Sequence, residues 1–151
     1  MIAQETAAPR PPRIAHMPLY SIAPVSYFPF VVRERVRLRD IDAFGHVNNA
    51  VYSTYLEQAR LDALGELGSV ILARVEIDFR VEIRLGDEVE VHSRCSRIGT
   101  KSFDLEHEIR VGDRVAAEAK SVIVGFDYET RRSAPLSDEL KKRLSDSRAS
   151  A

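Results

Sequence analysis

From Val75 to Arg84 apolar and charged residues alternate without a break. Val75, Ile77, Phe79, Val81 and Ile83 fall on one side, and Glu76, Asp78, Arg80, Glu82 and Arg84 on the other. A period of two predicts a strand with one buried face. The same period returns in Val89, Val91, Ser93 and Cys95, then in Phe103, Leu105, His107 and Ile109, and again from Val115 to Phe126. Gly86-Asp87, Gly99-Thr100 and Gly112-Asp113 separate these runs, so the second half of the chain reads as an antiparallel meander. Upstream, Phe30 to Arg39 predicts another strand, with Val32, Val36 and Leu38 opposite Arg33, Arg35, Arg37 and Arg39. Such an arginine row suits a solvated face and discourages edge-to-edge association.

Between these strands the spacing changes to three and four, through Val51, Tyr52, Tyr55, Leu56, Ala59, Ala63, Leu64 and Leu67. Asn48 or Asn49 is suited to cap this helix, and Gly65 and Gly68 to end it. Leu61 widens the apolar stripe, so a sheet is expected to wrap the helix on several sides. In the last strand Val115, Ala117, Ala119, Ser121 and Gly125 put mostly small side chains on one face, as close approach of a helix requires. The opposite face, with Val122, Val124 and Phe126, is a candidate for a subunit interface. Ser137 and Glu139 open a short charged helix, Asp138 to Leu144, ahead of a frayed end.

The order of elements predicts an α+β domain, a curved antiparallel five-stranded sheet around one long central helix, with a short C-terminal helix. Residues 1–28, rich in proline and lacking a sustained period, read as a flexible arm without the features of a signal peptide. Residues 29–136 form the domain, and 137–151 the terminal helix and tail.

A chain of 151 residues and 17.0 kDa suffices for one core without disulfides or metals. A formal net charge of -1 gives no global attraction to nucleic acid or anionic membrane. No stretch approaches the length of an apolar membrane span. The single cysteine, Cys95, excludes an internal disulfide and points to a reducing compartment, the cytoplasm. Inside a strand it reads as a buried structural thiol. His92 and His107 stand alone in separate strands, and nothing has metal-ligand spacing.

The chemistry concentrates in Arg39-Asp40-Ile41-Asp42-Ala43-Phe44-Gly45-His46-Val47-Asn48-Asn49-Ala50-Val51-Tyr52. Two carboxylates, an imidazole and two amides precede a helix whose first N–H groups have no partner within it. A carboxylate there serves as nucleophile or general base, and the helix N–H groups suit a developing oxyanion. The alternative for Asp42 is an Asx-turn residue, Asp40 is expected to be a structural partner of a nearby arginine, and Asn48 reads equally as a pure cap.

The run Asp40-x-Asp42-x-x-Gly45-His46-Val47-Asn48-Asn49-x-x-Tyr52, with Tyr55-Leu56-Glu57-x-Ala59-Arg60, resembles the hotdog-fold thioesterases of the 4-hydroxybenzoyl-CoA thioesterase family. Val75 to Phe79, Leu85 to Val89, Ile98 to Ser102 and Ala116 to Glu118 extend the resemblance from about Phe30 to Pro135. The resemblance implies hydrolysis of an acyl-CoA, with coenzyme A as part of the substrate and no metal or redox cofactor. It assigns Asp42 the catalytic carboxylate and Asn49 the backbone N–H that polarises the thioester carbonyl. His46 orients Asp42, binds the thioester oxygen or acts as a base, or is only a loop residue. Its Gly-His-Val-Asn-Asn setting resembles the fatty acyl and plant acyl carrier protein branches, which favours an aliphatic acyl group. Asn48, Tyr52 and Tyr55 are candidates for the substrate channel, the tyrosines equally for the core. Thr100, Lys101 and Ser102 resemble a loop that meets phosphate or pantetheine, or form a plain solvated turn. Glu57 is expected to pair with Arg60, its alternative being a second catalytic carboxylate. The family implies a homodimer or a homotetramer built as a dimer of dimers, with sites at the subunit interface. An acyl carrier protein thioesterase, a hotdog dehydratase and a non-catalytic acyl-CoA-binding protein are the rival readings.

Overall fold

The computed structural model of the chain describes residues 28–66 and 68–149. The arm expected over 1–28 lies outside them except for Phe28, as does Leu67. Five long strands form one antiparallel sheet: β1 (Phe30–Arg35), β2 (Val70–Phe79), β3 (Glu88–Ile98), β4 (Ser102–Val111) and β5 (Arg114–Asp127), in the order β1-β3-β4-β5-β2. A two-residue β6 (Arg132–Ser133) pairs with the end of β5. The central helix α1 (Asn49–Leu64) lies on the inner face, and α2 (Asp138–Ala149) closes one end. This is the expected hotdog arrangement.

Alternation along each strand decides what α1 meets. Val89 and Val91 of β3, Ile109 of β4, and Ala117 and Ala119 of β5 join Tyr52, Tyr55, Leu56 and Ala59 in one buried cluster. Cys95, Phe103, Leu105 and Ile123 form a second with Ala63, Leu64 and α2 residues Leu140 and Leu144. Ala117 and Ala119 keep the β5 side of the first cluster small, while the backbone of α1 comes nearest β1 and β3. Between the clusters runs a buried polar row, Ser93, His107 and Ser121, on adjacent strands. The His107 ring is hydrogen-bonded at both nitrogens, to Ser93 Oγ at 2.7 Å and Ser121 Oγ at 3.1 Å.

The outer face is a lattice of cross-strand ion pairs. Arg94 meets Glu106, Arg80 meets Glu118, and the buried Asp104 carboxylate is held by Arg97 at 2.6 Å and Lys120 at 3.0 Å. Burial raises the cost of charging Asp104, but those two cations outweigh it and hold its carboxyl below the usual range. Val122 and Val124, expected at an interface, are half-buried on this charged face.

Three boundaries differ from expectation. β1 stops at Arg35 because its partner β3 begins at Glu88, and Leu38 falls in an exposed 3-10 turn instead of the buried side of a strand. β2 starts earlier, at Val70, and ends at Phe79, since the N–H groups of Arg80 and Val81 both donate to Ala116 O and turn the chain away. α2 runs to Ala149 instead of Leu144, capped by Ser137 Oγ accepting the Leu140 N–H, with Leu140 and Leu144 buried against the sheet.

Candidate active site

The loop before α1 is built by local hydrogen bonds. Asp42 Oδ1 accepts the Phe44 N–H at 2.8 Å, Asp42 O accepts the Gly45 N–H at 3.1 Å, and the Asp42 N–H donates to His46 O at 2.9 Å. Gly45 at φ 83 supplies the left-handed residue that this tight turn needs. An Ile41–Val47 bridge closes its base, and the Val47 N–H donates to Ile83 O, tying the loop to the chain leaving β2. Asp40 is structural, as expected, but Oδ2 accepts the Arg37 backbone N–H instead of meeting a guanidinium.

Asp42 is thus an Asx-turn residue, which engages only Oδ1. Oδ2 has no partner among the described residues. Asn48 caps α1, its Oδ1 accepting the Ala50 N–H at 2.9 Å, while its own N–H donates to Asp40 O. Asn49 is therefore the first helical residue, exposed, and its N–H has no partner among the described residues. A half-buried carboxylate and a free helix N–H are held on one turn, with partial positive charge from the helix end between them.

His46 is half-buried and lies near Glu82. Glu82's carboxyl is held below the usual range by its own backbone N–H, then by Arg84, with His46 a weaker contributor. Tyr52, 3% exposed, meets Phe79 edge-on at 4.9 Å between ring centroids. Burial, and then Glu82, raise its phenol above the ordinary value. Phe79 and Glu82 were not singled out in the sequence. Phe79 is half-exposed and in phase with half-buried Val75 and Ile77, a signal that only the end of β2 turns into a site.

The structure does not bring every expected residue to this end. Tyr55 is buried with its ring 6.3 Å from that of Tyr52, on the flank near Asp40, Glu34 and Arg37, and its hydroxyl has no partner among the described residues. Burial, and then Asp40 and Glu34, raise its phenol. Thr100, Lys101 and Ser102 lie beyond the opposite end of β3, about 30 Å from the Asp42 loop for a strand of this length. There Lys101 O accepts the Gly125 N–H, Thr100 O accepts the Leu136 N–H, and Ser102 Oγ accepts from Arg97 at 3.0 Å. Next to this loop a cleft of about 400 Å³ is lined by Ser69, Val70, Phe126, Tyr128, Leu136 and neighbouring residues. The Cys95 thiol is buried and pushed up to about 11, first by burial, as for an inert structural thiol. No group of three or more His, Cys, Asp or Glu side chains among the described residues is placed to hold a metal. No described helix is long and apolar enough to cross a membrane.

A sheet in this strand order wrapped around one long helix is shared with thioesterases among the solved structures. Residues 36–144 match the thioesterase-like superfamily, and the chain belongs to that family. Among its relatives, the long-chain acyl-CoA thioesterase FadM of Escherichia coli (strain K12) is 29% identical over 122 residues, 73% of this chain and 92% of that protein. A chloroplastic acyl-acyl carrier protein thioesterase of Arabidopsis thaliana is 27% identical over 113 residues, 66% of this chain and 60% of that one. Among solved structures, a thioesterase from Thermus thermophilus complexed with coenzyme A and Zn has a TM-score of 0.74 at 35% identity, covering 81% of this chain and 96% of that one.

Proposed function

We propose that the protein hydrolyses aliphatic acyl-CoA thioesters to the free acid and coenzyme A, with Asp42 and the Asn49 N–H at the reacting carbon. The observation that carries this reading is the pair of groups on one turn without a partner among the described residues, Asp42 Oδ2 and the Asn49 N–H. The thioester carbonyl oxygen accepts from Asn49, and the bond strengthens as negative charge develops on that oxygen. Asp42 either attacks the carbonyl carbon or takes a proton from the water that does. Water supplies hydroxyl to the acyl carbon, the C–S bond breaks, and the thiolate leaves with the remaining proton as the CoA thiol. Oδ1 stays anchored by Phe44 N–H, which keeps Oδ2 in place through the step. His46, beside Glu82, supports the loop through its backbone carbonyl. Asn48 caps the helix, and Tyr52 with Phe79 forms an apolar wall beside the reacting carbon. Coenzyme A enters as part of the substrate, and no metal or redox cofactor is required. The cytoplasm suits the lone thiol.

The functional unit in this reading is a homodimer. β1 is a short, charged edge, whereas β2 is a ten-residue edge with Ile71, Leu72 and Phe79 exposed to 41%, 40% and 49%. Such an edge asks for a strand partner. Antiparallel pairing of β2 with its own copy sets the Val70 end of one subunit beside the Phe79 end of the other. Thr100, Lys101 and Ser102 of the partner subunit then approach the Asp42 turn, where Lys101 suits a coenzyme A phosphate and Ser102 a pantetheine amide. Tyr55 contributes as core beneath the acyl channel.

Thiol release from acyl-CoAs of graded chain length, compared between the unmodified protein and Asp42→Asn, tests the proposal. Asparagine keeps the Oδ1 acceptor of the turn, so the variant is expected to fold while kcat falls by about 10²–10⁴. A folded protein that releases thiol from none of them, or an Asp42→Asn variant with unchanged turnover, overturns it. Release only from acyl carrier protein thioesters would instead establish the activity named for the Arabidopsis relative.

A further inference from the structure

Arg60 is a charged side chain of α1 that is neither fully solvated nor answered by an ion pair among the described residues. It is half-buried, and burial lowers its pKa, with only Glu57 opposing the shift. No carboxylate among the described residues lies within ion-pair distance of it, so the expected Glu57–Arg60 pair is not formed within one chain. The nearby His107 ring has both nitrogens occupied by serine hydroxyls and offers no acceptor. Glu57, one turn earlier, is exposed.

We infer that, in two copies paired through β2, Arg60 of each subunit meets Glu57 of the partner subunit, making a four-charge cluster at the two-fold axis. The inference deepens the dimer proposed above and rests on it. Its geometry follows from the flank and the level of Arg60 on α1.

Tyr55 marks the flank of α1 that faces β1, because its neighbours are Glu34, Arg37 and Asp40. At about 100° per residue, Arg60 lies about 140° around the helix from Tyr55, on the flank it shares with Asn49, Ser53 and Glu57. That flank lies opposite the one that packs toward β1, on the β2 side of the sheet. Tyr52 meets Phe79 at one end of β2, and Val75 pairs with Ser121, which bonds His107, the residue that senses Arg60. From Tyr52 to Arg60 is about 12 Å along the helix, and from Phe79 to Val75 about 13 Å along the strand, so Arg60 stands level with Val75.

Pairing the whole of Val70–Phe79 with its copy puts the two-fold axis next to Val75. An isologous contact repeats each residue on both sides, so two half-buried guanidiniums face one another there. Like charges at that spacing disfavour association unless anions intervene. Glu57 is about 4.5 Å along the helix from the level of Arg60, within reach of a long side chain across the axis. The occupant of this flank is therefore a second copy of the chain, chosen by charge complementarity and by the adjoining unpaired strand.

Glu57→Arg and Arg60→Glu, studied separately and mixed, test the inference. Each variant alone places four like charges on the axis, and its homodimer should dissociate at about tenfold higher protein concentration than the unmodified dimer does. Mixed in equal amounts, the two should form heterodimers well above the statistical share by native mass spectrometry, because each then supplies what the other lacks. An intrachain pair would gain nothing from mixing. A statistical mixture of dimers as tight as the unmodified homodimer overturns the cluster and leaves the β2 pairing standing. An unmodified protein that stays monomeric by sedimentation overturns both, while thiol release reports on the catalytic reading separately. Should Arg60→Glu not fold, Glu57→Arg is compared with Glu57→Arg/Arg60→Gln. Removing the repulsion should tighten the dimer, and equal dissociation of the two overturns the inference.

Discussion

Replacing His107 by glutamine asks whether the polar row beneath α1 is held neutral. The ring is fully buried, with Ser93 and Ser121 hydroxyls on its two nitrogens. A protonated ring could donate to both hydroxyls, so hydrogen bonding does not forbid the charge. Burial does, and Arg60 adds to it, lowering the pKa to about 3. The unfolded chain titrates near the ordinary value of about 6.5. Between these limits the unfolded state binds more protons, so stability rises with pH. The contribution is complete above about pH 6.5 and falls by about 1.4 kcal/mol per unit below it, reaching about 5 kcal/mol near pH 3. Glutamine offers one donor and one acceptor to the same serines and does not titrate. Denaturant unfolding of both proteins at about pH 7.5, 6, 5 and 4.5 isolates the effect, since carboxylates contribute equally to each. Whatever the gap at about pH 7.5, the unmodified protein should lose about 2–3 kcal/mol relative to the variant by about pH 4.5. Parallel pH profiles, or a His107 resonance titrating near 6.5 in the folded protein, would refute the reasoning.

Two further substitutions probe packing around the site. Tyr55→Phe removes a buried hydroxyl with no partner among the described residues, so unfolding free energy should rise by about 1 kcal/mol. A loss of that size would instead reveal a partner for the hydroxyl. Gly125→Ala places a methyl against Ala134 O at a position whose own N–H and C=O are bonded to Lys101 O and the Ala134 N–H. Backbone cannot give way as a flexible side chain would, so a loss of about 1–3 kcal/mol is expected by denaturant titration, together with weaker acyl-CoA binding if the Thr100–Ser102 loop serves the partner's site.

The local grammar of the elements was legible because each rule reaches only a few residues. Asn48 as cap and Gly65 as stop bound α1 as expected, since both act on groups within one turn. The alternation Phe103, Leu105, His107, Ile109 marks a face that is wholly buried. Boundaries that hang on another strand were not legible. β1 ends where β3 begins, and β2 ends where two N–H groups converge on Ala116 O. The exposed Leu38 shows the consequence, because apolar character alone does not say whether a partner strand is present to bury it.

The sequence by itself determined the turn that holds Asp42, the helix that begins at Asn49, and the small-residue face that β5 contributes to the cluster around α1. Short-range hydrogen bonding and steric size carry all three. Only the tertiary structure decided that Phe79 and Glu82 stand beside Tyr52 and His46, that Thr100–Ser102 lie at the far end of the sheet, and that Glu57 and Arg60 do not pair within one chain. Those relations depend on strand order and on the level of α1 over the sheet, set by contacts between residues distant in sequence.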